Sequence, residues 1–260
     1  MAIITLISDW GLKDHYAGAV KGTILKYDPL ISIVDITHMV DPFNLLQASF
    51  VLRNSYPDFP DGTIHIVSVN TDESTKTPHV AIFHKNHYFI GADNGVFSLA
   101  FDETPEKIVV IEIIQDNNFF TFSTRDRFVK AAIHLASGKP IESLGYKTNE
   151  VTRMLHFNPV VEQTVIKGKV IYIDRYENIY VNITREVFEK AHQQREFTIK
   201  LRNSEYNINT ISKSYKDVPP GDILALFSST GFLEIAINEG NASGLLGINI
   251  DDQVRIEFND

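Results

Sequence analysis

The chain has 260 residues, of which 43% are hydrophobic and 22% charged, a composition typical of a soluble globular protein. Its length leaves room for one large domain or two of ordinary size, and we expect two. The net charge of −9 argues against nucleic acid as a partner, and the absence of cysteine excludes disulfides, thiolate metal sites and cysteine nucleophiles. No leader pattern or long apolar run is visible, so we expect a cytoplasmic protein with no membrane partner.

The first structural signal is the short apolar run from Ile3 to Ile7, typical of a strand buried on both faces of a parallel sheet. A helical pattern starting at Tyr16 follows it. Asp9 and Asp14 therefore lie beyond the carboxyl end of the first strand, the edge where open α/β sheets bind ligands. No G-x-G-x-x-G fingerprint is present, so the carboxylates suit hydroxyls or a cation rather than phosphate. The alternative is that Asp14 caps the helix and Asp9 satisfies the turn.

Strand and helix signals continue to alternate through the first half of the chain. This pattern predicts a layered, Rossmann-like α/β domain with parallel strands. The predicted segments are strands at 31–37, 62–69 and 107–114, a helix at 43–54, a hairpin at 79–84 and 87–92, and a helix starting near 127 that Gly138 and Pro140 close.

From about Val165 the pattern changes to short strands with closely spaced turn signals, as in an antiparallel barrel or sandwich. We therefore predict two domains, 1–160 and 165–260, joined within the irregular stretch 146–164. The predicted strands are 165–174, 179–183, 196–201, 206–211, 223–227, 232–237 and 253–258, with helices at 185–192 and 242–246.

Three further polar clusters are candidates for chemistry. Residues 69–76 follow a predicted strand at the ligand edge, and residues 120–126 open a helix that Ser123 or Thr124 would cap. In residues 174–182, acidic, amide and aromatic side chains alternate, which would place them on one face of an extended ribbon. That face is either an ordinary solvent-exposed one or a nucleoside site, since carboxylate, amide and aromatic groups suit hydroxyls and a base.

Metal and serine-nucleophile sites are not indicated. The histidines are scattered, with no H-x-x-x-H or H-E-x-x-H pair, and no G-x-S-x-G elbow is present. We therefore predict no metal and no cofactor.

The whole chain resembles the family that contains the adenosine-forming S-adenosyl-L-methionine (SAM) hydrolases and the SAM-dependent fluorinase and chlorinase. Six motifs carry the resemblance in the same order. They are Ser8-Asp9-Trp10-Gly11 with Asp14, Val34-Asp35-Ile36-Thr37-His38 with Pro42-Phe43, Ala92-Asp93-Asn94-Gly95, Thr121-Phe122 through Arg125-Asp126, Ile173 to Asn178, and Phe227 to Ala236.

The resemblance implies an N-terminal α/β domain, a smaller C-terminal β-barrel domain, and a homotrimer with SAM bound between neighbouring subunits. It implies that Asp9 binds the ribose hydroxyls and that Phe43 packs on the nucleoside. It also implies roles for residues of the other motifs: Asp14, Asp174 and Ser229 would hold the methionine ammonium and carboxylate, and Tyr176 and Asn178 would line the adenine pocket. SAM is then a substrate and not a cofactor.

The chain departs from its relatives around the nucleophile. Where the hydrolases use an Asp, an Arg and a His around water, this sequence has Asn70 at the aspartate position, Ser123 at the histidine position, and no arginine near Thr77-Pro78. The halogenases carry Tyr at the position of Asn70, and Thr124 lies where one of them has a halide-binding Ser. Asp72 and Lys76 could substitute for the missing charges if the loop is shifted.

Three functions follow, with Asn70, Ser123 and Thr124 as the predicted catalytic residues. The leading hypothesis is an enzyme in which water attacks the ribose C5′ of SAM and releases adenosine and L-methionine. The second is a SAM or adenosine binding protein without turnover, because a neutral Asn cannot supply the charge that polarises water. The third is a halide-using enzyme.

Overall fold

The computed structural model describes residues 2–115, 120–154, 158–201 and 206–259. The chain divides into two compact units, Met1–Leu155 and His156–Asp260. The finer domain limits at 160 and 165 stay predictions, and residues 155–157 of the predicted join lie outside the described residues. Across the described parts of the chain, no helix is long and apolar enough to cross a membrane.

The first unit is built on one seven-stranded sheet with helices packed against it. Its strands are β1 (Ile3–Ser8), β2 (Ser32–Thr37), β3 (Ile64–Ser68), β4 (His79–His84), β5 (His87–Ala92), β6 (Lys107–Ile111) and β7 (Gly145–Thr148). Its α-helices are α1 (Tyr16–Tyr27), α2 (Leu45–Arg53), α3 (Val96–Ala100) and α4 (Val129–Ala136).

The sheet has the order β2-β1-β3-β5-β4-β6-β7. The pairs β1/β2, β1/β3 and β3/β5 are parallel, as predicted. The pair β4/β5 is antiparallel, as the predicted hairpin requires, and β4/β6 and β6/β7 are antiparallel as well. The tight turn at Lys85 and Asn86, both with positive φ, reverses the chain after β4, and every strand beyond it on that side runs antiparallel to its neighbour.

The parallel strands of the sheet form the edge at which a ligand is expected. All five residues of β3 are buried, and β1 is buried from Ile4 to Ser8, which explains the continuous apolar runs in the sequence. Apolar clusters fill both faces: one contains Ile4, Leu6 and residues of α1 and α4, and the other contains Ile7, Val67 and residues of α2 and α3. The loops after β1 and β3 therefore emerge from a rigid, two-sided core.

The second unit is an antiparallel, nearly closed barrel. Its strands are β8 (Val160–Val161), β9 (Val165–Ile173), β10 (Ile179–Thr184), β11 (Phe197–Lys200), β12 (Asn207–Ile208), β13 (Ile223–Phe227), β14 (Phe232–Ile237) and β15 (Gln253–Phe258). They run in the order β12-β11-β15-β9-β10-β14-β13, with β8 beside β9. A bridge between Ile211 and Ala225 links the two ends of this order. The prediction of a β-barrel is confirmed.

Two helices accompany the barrel, α5 (Arg185–His192) and α6 (Ala242–Leu246), with the bounds that the sequence predicted. Thr184 caps α5 by accepting a hydrogen bond from Val187 N, and Asn241 caps α6 through Gly244 N. The barrel interior is filled by apolar side chains from every long strand, including Ile166, Ile179, Leu233 and Ile256. The unit therefore has a core of its own.

Candidate active site

Three loops of the first unit meet at the carboxyl edge of its parallel strands. The register pairs Ser8, at the end of β1, with Ser68, at the end of β3, so Asp9 and Asn70 leave the sheet at the same edge. The Thr124 hydroxyl donates a hydrogen bond to Ser68 Oγ at 2.9 Å, which brings the segment around Ser123 to that edge as well. The loops that carry Asp9 and Asn70 and the segment around Thr124 therefore lie at one edge of the sheet.

Asp9 is directly linked to Phe43. One oxygen of its carboxylate accepts a hydrogen bond from Phe43 N at 2.9 Å. The Phe43 side chain is 71% exposed, and its backbone has a φ of +65°, an unusual conformation for a bulky residue. The Asp9 side chain is only partly exposed but leaves its other oxygen to a ligand. The Asp9 carboxylate thus bonds to the backbone of a residue whose aromatic side chain is exposed.

Asp14 is exposed in the loop before α1. The cap position of α1 belongs to His15, and its side chain makes no capping hydrogen bond. The alternative in which Asp14 caps the helix is therefore wrong, whereas Asp9 does accept a backbone hydrogen bond, from Phe43 N.

Next to Asp9 in sequence, a series of polar side chains joins β1 to β2; Ser8 and His38 are buried and Asp35 is exposed. Ser8 Oγ lies 2.7 Å from His38 Nδ1, and His38 Nε2 lies 3.1 Å from an oxygen of Asp35, although its N–H is not directed along that line. Lys21 pairs with the same carboxylate. Burial raises the pKa of Asp35, but the hydrogen bond from Lys21 and the nearby His38 ring outweigh burial and hold this pKa below its ordinary value.

These residue types are those of a hydrolytic triad, but the geometry does not permit that role. Ser8 has no exposed surface and His38 is 2% exposed, so neither can reach a substrate. Two backbone bonds beside them, Gly11 N to His38 O at 2.7 Å and Val40 N to Ser8 O at 3.3 Å, hold the same loops together. The polar contacts of Ser8 and His38 therefore fix the position of the Asp9 loop.

Four rings form an aromatic cluster next to Asp9. Trp10 stacks on His38 with ring centres 5.9 Å apart and meets Phe122 edge-on at 5.7 Å. Tyr16 also contacts Phe122 edge-on at 5.3 Å. Trp10 and Phe122 both belong to motifs quoted above, beside Asp9 and Ser123, but the sequence predicted no role for either. Aromatic faces at this point suit a flat or cationic ligand.

Asn70 is exposed and has a φ of +50°. The side chain of Asn94 holds its loop, donating to the carbonyl oxygens of Val69 at 3.0 Å and Asn70 at 2.9 Å. Asn94 is a positioning residue that the sequence analysis left without a role, although it belongs to the third motif. These hydrogen bonds hold the Asn70 backbone at the sheet edge, and they do not involve the Asn70 side chain.

Ser123 and Thr124 are both buried, at 7% and 1% exposure. Thr124 begins a single π-helical turn, Thr124–Phe128, that leads into α4. Ser123 occupies the cap position but makes no capping bond, and Thr124 donates to Ser68 instead. The alternative in which these residues serve as caps is therefore wrong. π-helical turns occur frequently at functional sites.

A charged cluster, which we call the Glu73 cluster, lies beside the Asn70 loop and consists of Glu73, Arg127 and His79. Arg127 pairs with one oxygen of Glu73 and also donates to Ile111 O at 3.0 Å. His79 Nδ1 lies 4.0 Å from the other Glu73 oxygen, and His79 Nε2 lies 2.9 Å from Thr71 O. No sequence motif marks this cluster, because its members are up to 54 residues apart.

In the second unit, Asp174 organises a turn. One of its oxygens accepts hydrogen bonds from Tyr176 N at 2.8 Å and Asn178 N at 2.9 Å. The other accepts from Asn178 Nδ2 at 3.2 Å and the Tyr180 hydroxyl at 3.4 Å. With Glu177 at a φ of +65°, the chain turns here, so residues 174–178 do not share one face of an extended ribbon. The strand begins at Ile179, the predicted start.

The turn exposes some of its side chains and buries others. Tyr176 is 78% exposed, whereas Asn178 is 7% exposed. Ser229 is also exposed, in the turn between β13 and β14. Asp174, Tyr176 and Asn178 are therefore brought together, and Ser229 lies in another turn of the same unit.

A buried acid lies near Asp174. Glu234 has no exposed surface and accepts a hydrogen bond from the Tyr215 hydroxyl at 2.6 Å. Burial raises the pKa of Glu234, and it also raises the pKa values of Tyr180 and Tyr215. Glu234 belongs to the sixth motif, but the sequence predicted no role for it because it stands inside an otherwise apolar strand without a visible partner.

Among the described residues, no group of three His, Cys, Asp or Glu side chains could hold a metal ion. The first unit offers a carboxylate, exposed aromatic rings, an amide and a charged cluster, which together suit a nucleoside carrying a positive charge.

Residues 4–145 match the N-terminal domain pattern of the SAM hydroxide adenosyltransferases, and residues 168–255 match the C-terminal one. The chain belongs to the SAM hydroxide adenosyltransferase family. Family membership covers both units and all six motifs.

Relatives with known names support membership in the SAM hydroxide adenosyltransferase family. An (R)-S-adenosyl-L-methionine hydrolase of Methanocaldococcus jannaschii is 30% identical over 98% of this chain and 96% of its own. A Nocardia brasiliensis fluorinase is 25% identical over 91% of this chain and 90% of its own. The crystal structure of an uncharacterised conserved protein from Thermotoga maritima matches with a TM-score of 0.89 and 34% identity, covering 98% of this chain and 99% of that one.

Proposed function

We propose that this protein hydrolyses SAM at the ribose C5′ and releases adenosine and L-methionine. The observation that carries the proposal is the match to a SAM hydrolase over 98% of the chain. The geometry supports it, because Asp9 and Phe43 offer a carboxylate and an aromatic ring to a nucleoside at the ligand edge of the sheet. The names of the relatives extend the proposal to the R epimer at sulfur.

In this reaction, the oxygen of water forms a bond to C5′ while the C5′–S bond breaks. Both electrons of that bond go to sulfur, so the sulfonium leaves as the neutral thioether of methionine. Since the leaving group is already good, the main task of the enzyme is to align a poorly hydrated water with the C5′–S bond. The proposed roles are Asp9 on the ribose hydroxyls, Phe43 on the nucleoside, and Asn70, Ser123 and Thr124 around the nucleophile.

Asp14 and residues of the second unit complete the proposed substrate site. Asp14, Asp174 and Ser229 would hold the methionine ammonium and carboxylate, and Tyr176 and Asn178 would line the adenine. The resemblance assigns these groups to neighbouring subunits, so the proposal includes a cytoplasmic homotrimer. Light scattering of the purified protein would give three times the 29.4 kDa chain mass, and a monomer would contradict the assembly.

The experiment that tests the activity is incubation of purified protein with SAM, with and without chloride, followed by chromatography of the products. Adenosine and methionine in equal amounts support hydrolysis, and separate assays of the two sulfonium epimers would show which one is consumed. SAM binding without any product would instead support a binding protein. That second candidate is favoured by one observation: Asn70, Ser123 and Thr124 are all neutral. A 5′-chloro product would support the halide reaction.

A further inference from the structure

We propose that Glu73 is a catalytic residue of this site, accepting the proton of the attacking water, and that Arg127 and His79 position it. The proposal rests on the proposed function, hydrolysis of SAM. It names a group that neither the sequence motifs nor the resemblance assigns.

The need for such a group follows from the reaction. When water bonds to C5′ its oxygen becomes positively charged, and a nearby acceptor must take one proton. The amide of Asn70 and the hydroxyls of Ser123 and Thr124 are poor proton acceptors. The Thr124 proton is in addition directed to Ser68.

Other carboxylates around the ligand edge have partners or different proposed roles. Asp9 accepts from Phe43 N, and Asp126 forms two hydrogen bonds with Arg125. Asp93 is 8% exposed and accepts from Thr152. Glu73 also pairs with an arginine, but it follows β3 by five residues and its side chain is 44% exposed, against 11% for Asp126.

Glu73 also joins the two segments that carry the predicted catalytic residues. It lies in the loop that starts at Asn70, and its partner Arg127 lies in the same helical turn as Thr124. His79 provides a second link between the two segments. Its Nε2 contacts Thr71 O in the loop, and its ring packs edge-on against Phe128 with ring centres 4.7 Å apart. A water held by Glu73 would therefore lie beside both segments.

The surroundings of Glu73 keep it ionised and ready to accept a proton. Partial burial raises its pKa, but the hydrogen bond and charge of Arg127 outweigh this effect and lower it. Burial lowers the pKa of His79, so the His79 ring is neutral near pH 7. Arg127 is therefore the cation that pairs with the Glu73 carboxylate.

The proton balance closes without any further group. As the O–C5′ bond forms, one proton of water moves to a Glu73 oxygen and the C5′–S electron pair leaves with methionine. Because the side chain is partly exposed, Glu73 then returns the proton to solvent. No oxidant, reductant or metal takes part in this sequence.

The first test is Glu73→Gln, which keeps the size and polarity of the side chain and removes its basicity. We expect kcat to fall by about 10²- to 10⁴-fold, with adenosine binding retained in calorimetry. Glu103→Gln, which makes the same change at an exposed carboxylate paired with Lys85, is the matched control and should turn over at the wild-type rate. Wild-type turnover by Glu73→Gln, or loss of turnover in Asp72→Asn with Glu73→Gln unaffected, would overturn the proposal. If the wild type itself yields no adenosine, the proposed function fails instead.

The second test separates catalysis from loop support. Arg127→Gln removes the charge that lowers the Glu73 pKa, so the acidic limb of the kcat profile should move to higher pH. Glu73→Asp keeps the charge and should retain more activity than Glu73→Gln. An acidic limb that stays in place in Arg127→Gln, with Glu73→Asp no better than Glu73→Gln, would reduce Glu73 to a structural partner of Arg127.

Discussion

The carboxylate of Asp9 and the backbone N–H of Phe43 form a hydrogen bond of 2.9 Å that links the loops after β1 and β2. It joins two residues with proposed contacts to the same nucleoside. Replacing Asp9 therefore removes a ligand group and loosens the loop that carries the aromatic ring.

Asp9→Ala should abolish adenosine binding in calorimetry, because both effects are lost together. Asp9→Asn retains an oxygen that can accept from Phe43 N but has no charge for the ribose hydroxyls. We expect it to fold as the wild type and to bind more weakly by about 1 to 3 kcal/mol. Unchanged adenosine affinity in Asp9→Ala would contradict the ribose role of this residue.

Thr124 offers a way to separate stability from chemistry. Thr124→Val removes the donor to Ser68 in a buried site and should lower the free energy of unfolding by about 1 to 3 kcal/mol in urea titrations. If the Thr124 hydroxyl serves catalysis, kcat falls as well. Ser68→Ala breaks the same bond from the other side and should keep its turnover. Equal losses of kcat in the two variants would assign the hydroxyl a structural role only.

Asp174 combines turn formation with a proposed contact to methionine. Asp174→Ala loses acceptors for two backbone N–H groups and should destabilise the second unit by about 2 kcal/mol. Asp174→Asn keeps one acceptor oxygen, so its stability should stay closer to the wild type while binding of SAM weakens. Thermal unfolding and SAM titration measure the two effects separately. If Asp174→Asn binds SAM like the wild type, the charge of this residue has no role in the site.

The buried histidine His65 should make folding sensitive to acid. Its Nδ1 lies 2.7 Å from the Thr5 hydroxyl and its Nε2 lies 3.2 Å from His87 Nδ1. Burial, with the charge of His87 as a smaller cause, lowers the pKa of His65 from 6.5 to about 3.

Because the folded pKa is the lower one, the unfolded chain binds more protons between these values, and stability falls as the pH drops below about 6.5. The loss approaches about 1.4 kcal/mol for each pH unit down to about pH 3, where it levels off. Urea titrations from pH 7.5 to 5 should show this slope, and His65→Gln should reduce it. An unchanged slope in the variant would assign the acid sensitivity to other groups.

Much of the fold follows from local signals. The hairpin β4/β5 has the predicted bounds because Lys85 and Asn86 form a tight turn between apolar runs. Helix α5 is equally local, since Thr184 caps it. The short strand β7 was missed because its identity depends on pairing with β6, a contact that a four-residue segment does not encode.

The candidate site was predictable where a residue follows a strand, as Asp9 and Asn70 do. It was not predictable where contacts join distant parts of the chain, as between Glu73 and Arg127. The turn at Asp174 shows a different limit. Its polar residues alternate as in a strand, but one carboxylate accepts the backbone N–H groups of Tyr176 and Asn178 and bends the chain.

The backbone of Phe43 has a consequence for how the protein would respond to selection for stability. A bulky residue at a φ of +65° costs about 1 to 3 kcal/mol of local strain, which glycine at the same position would relieve. Stabilising selection alone would thus favour a smaller residue here, at the expense of the exposed ring. At position 43, stability therefore favours a smaller residue, whereas the proposed ligand recognition favours the exposed ring.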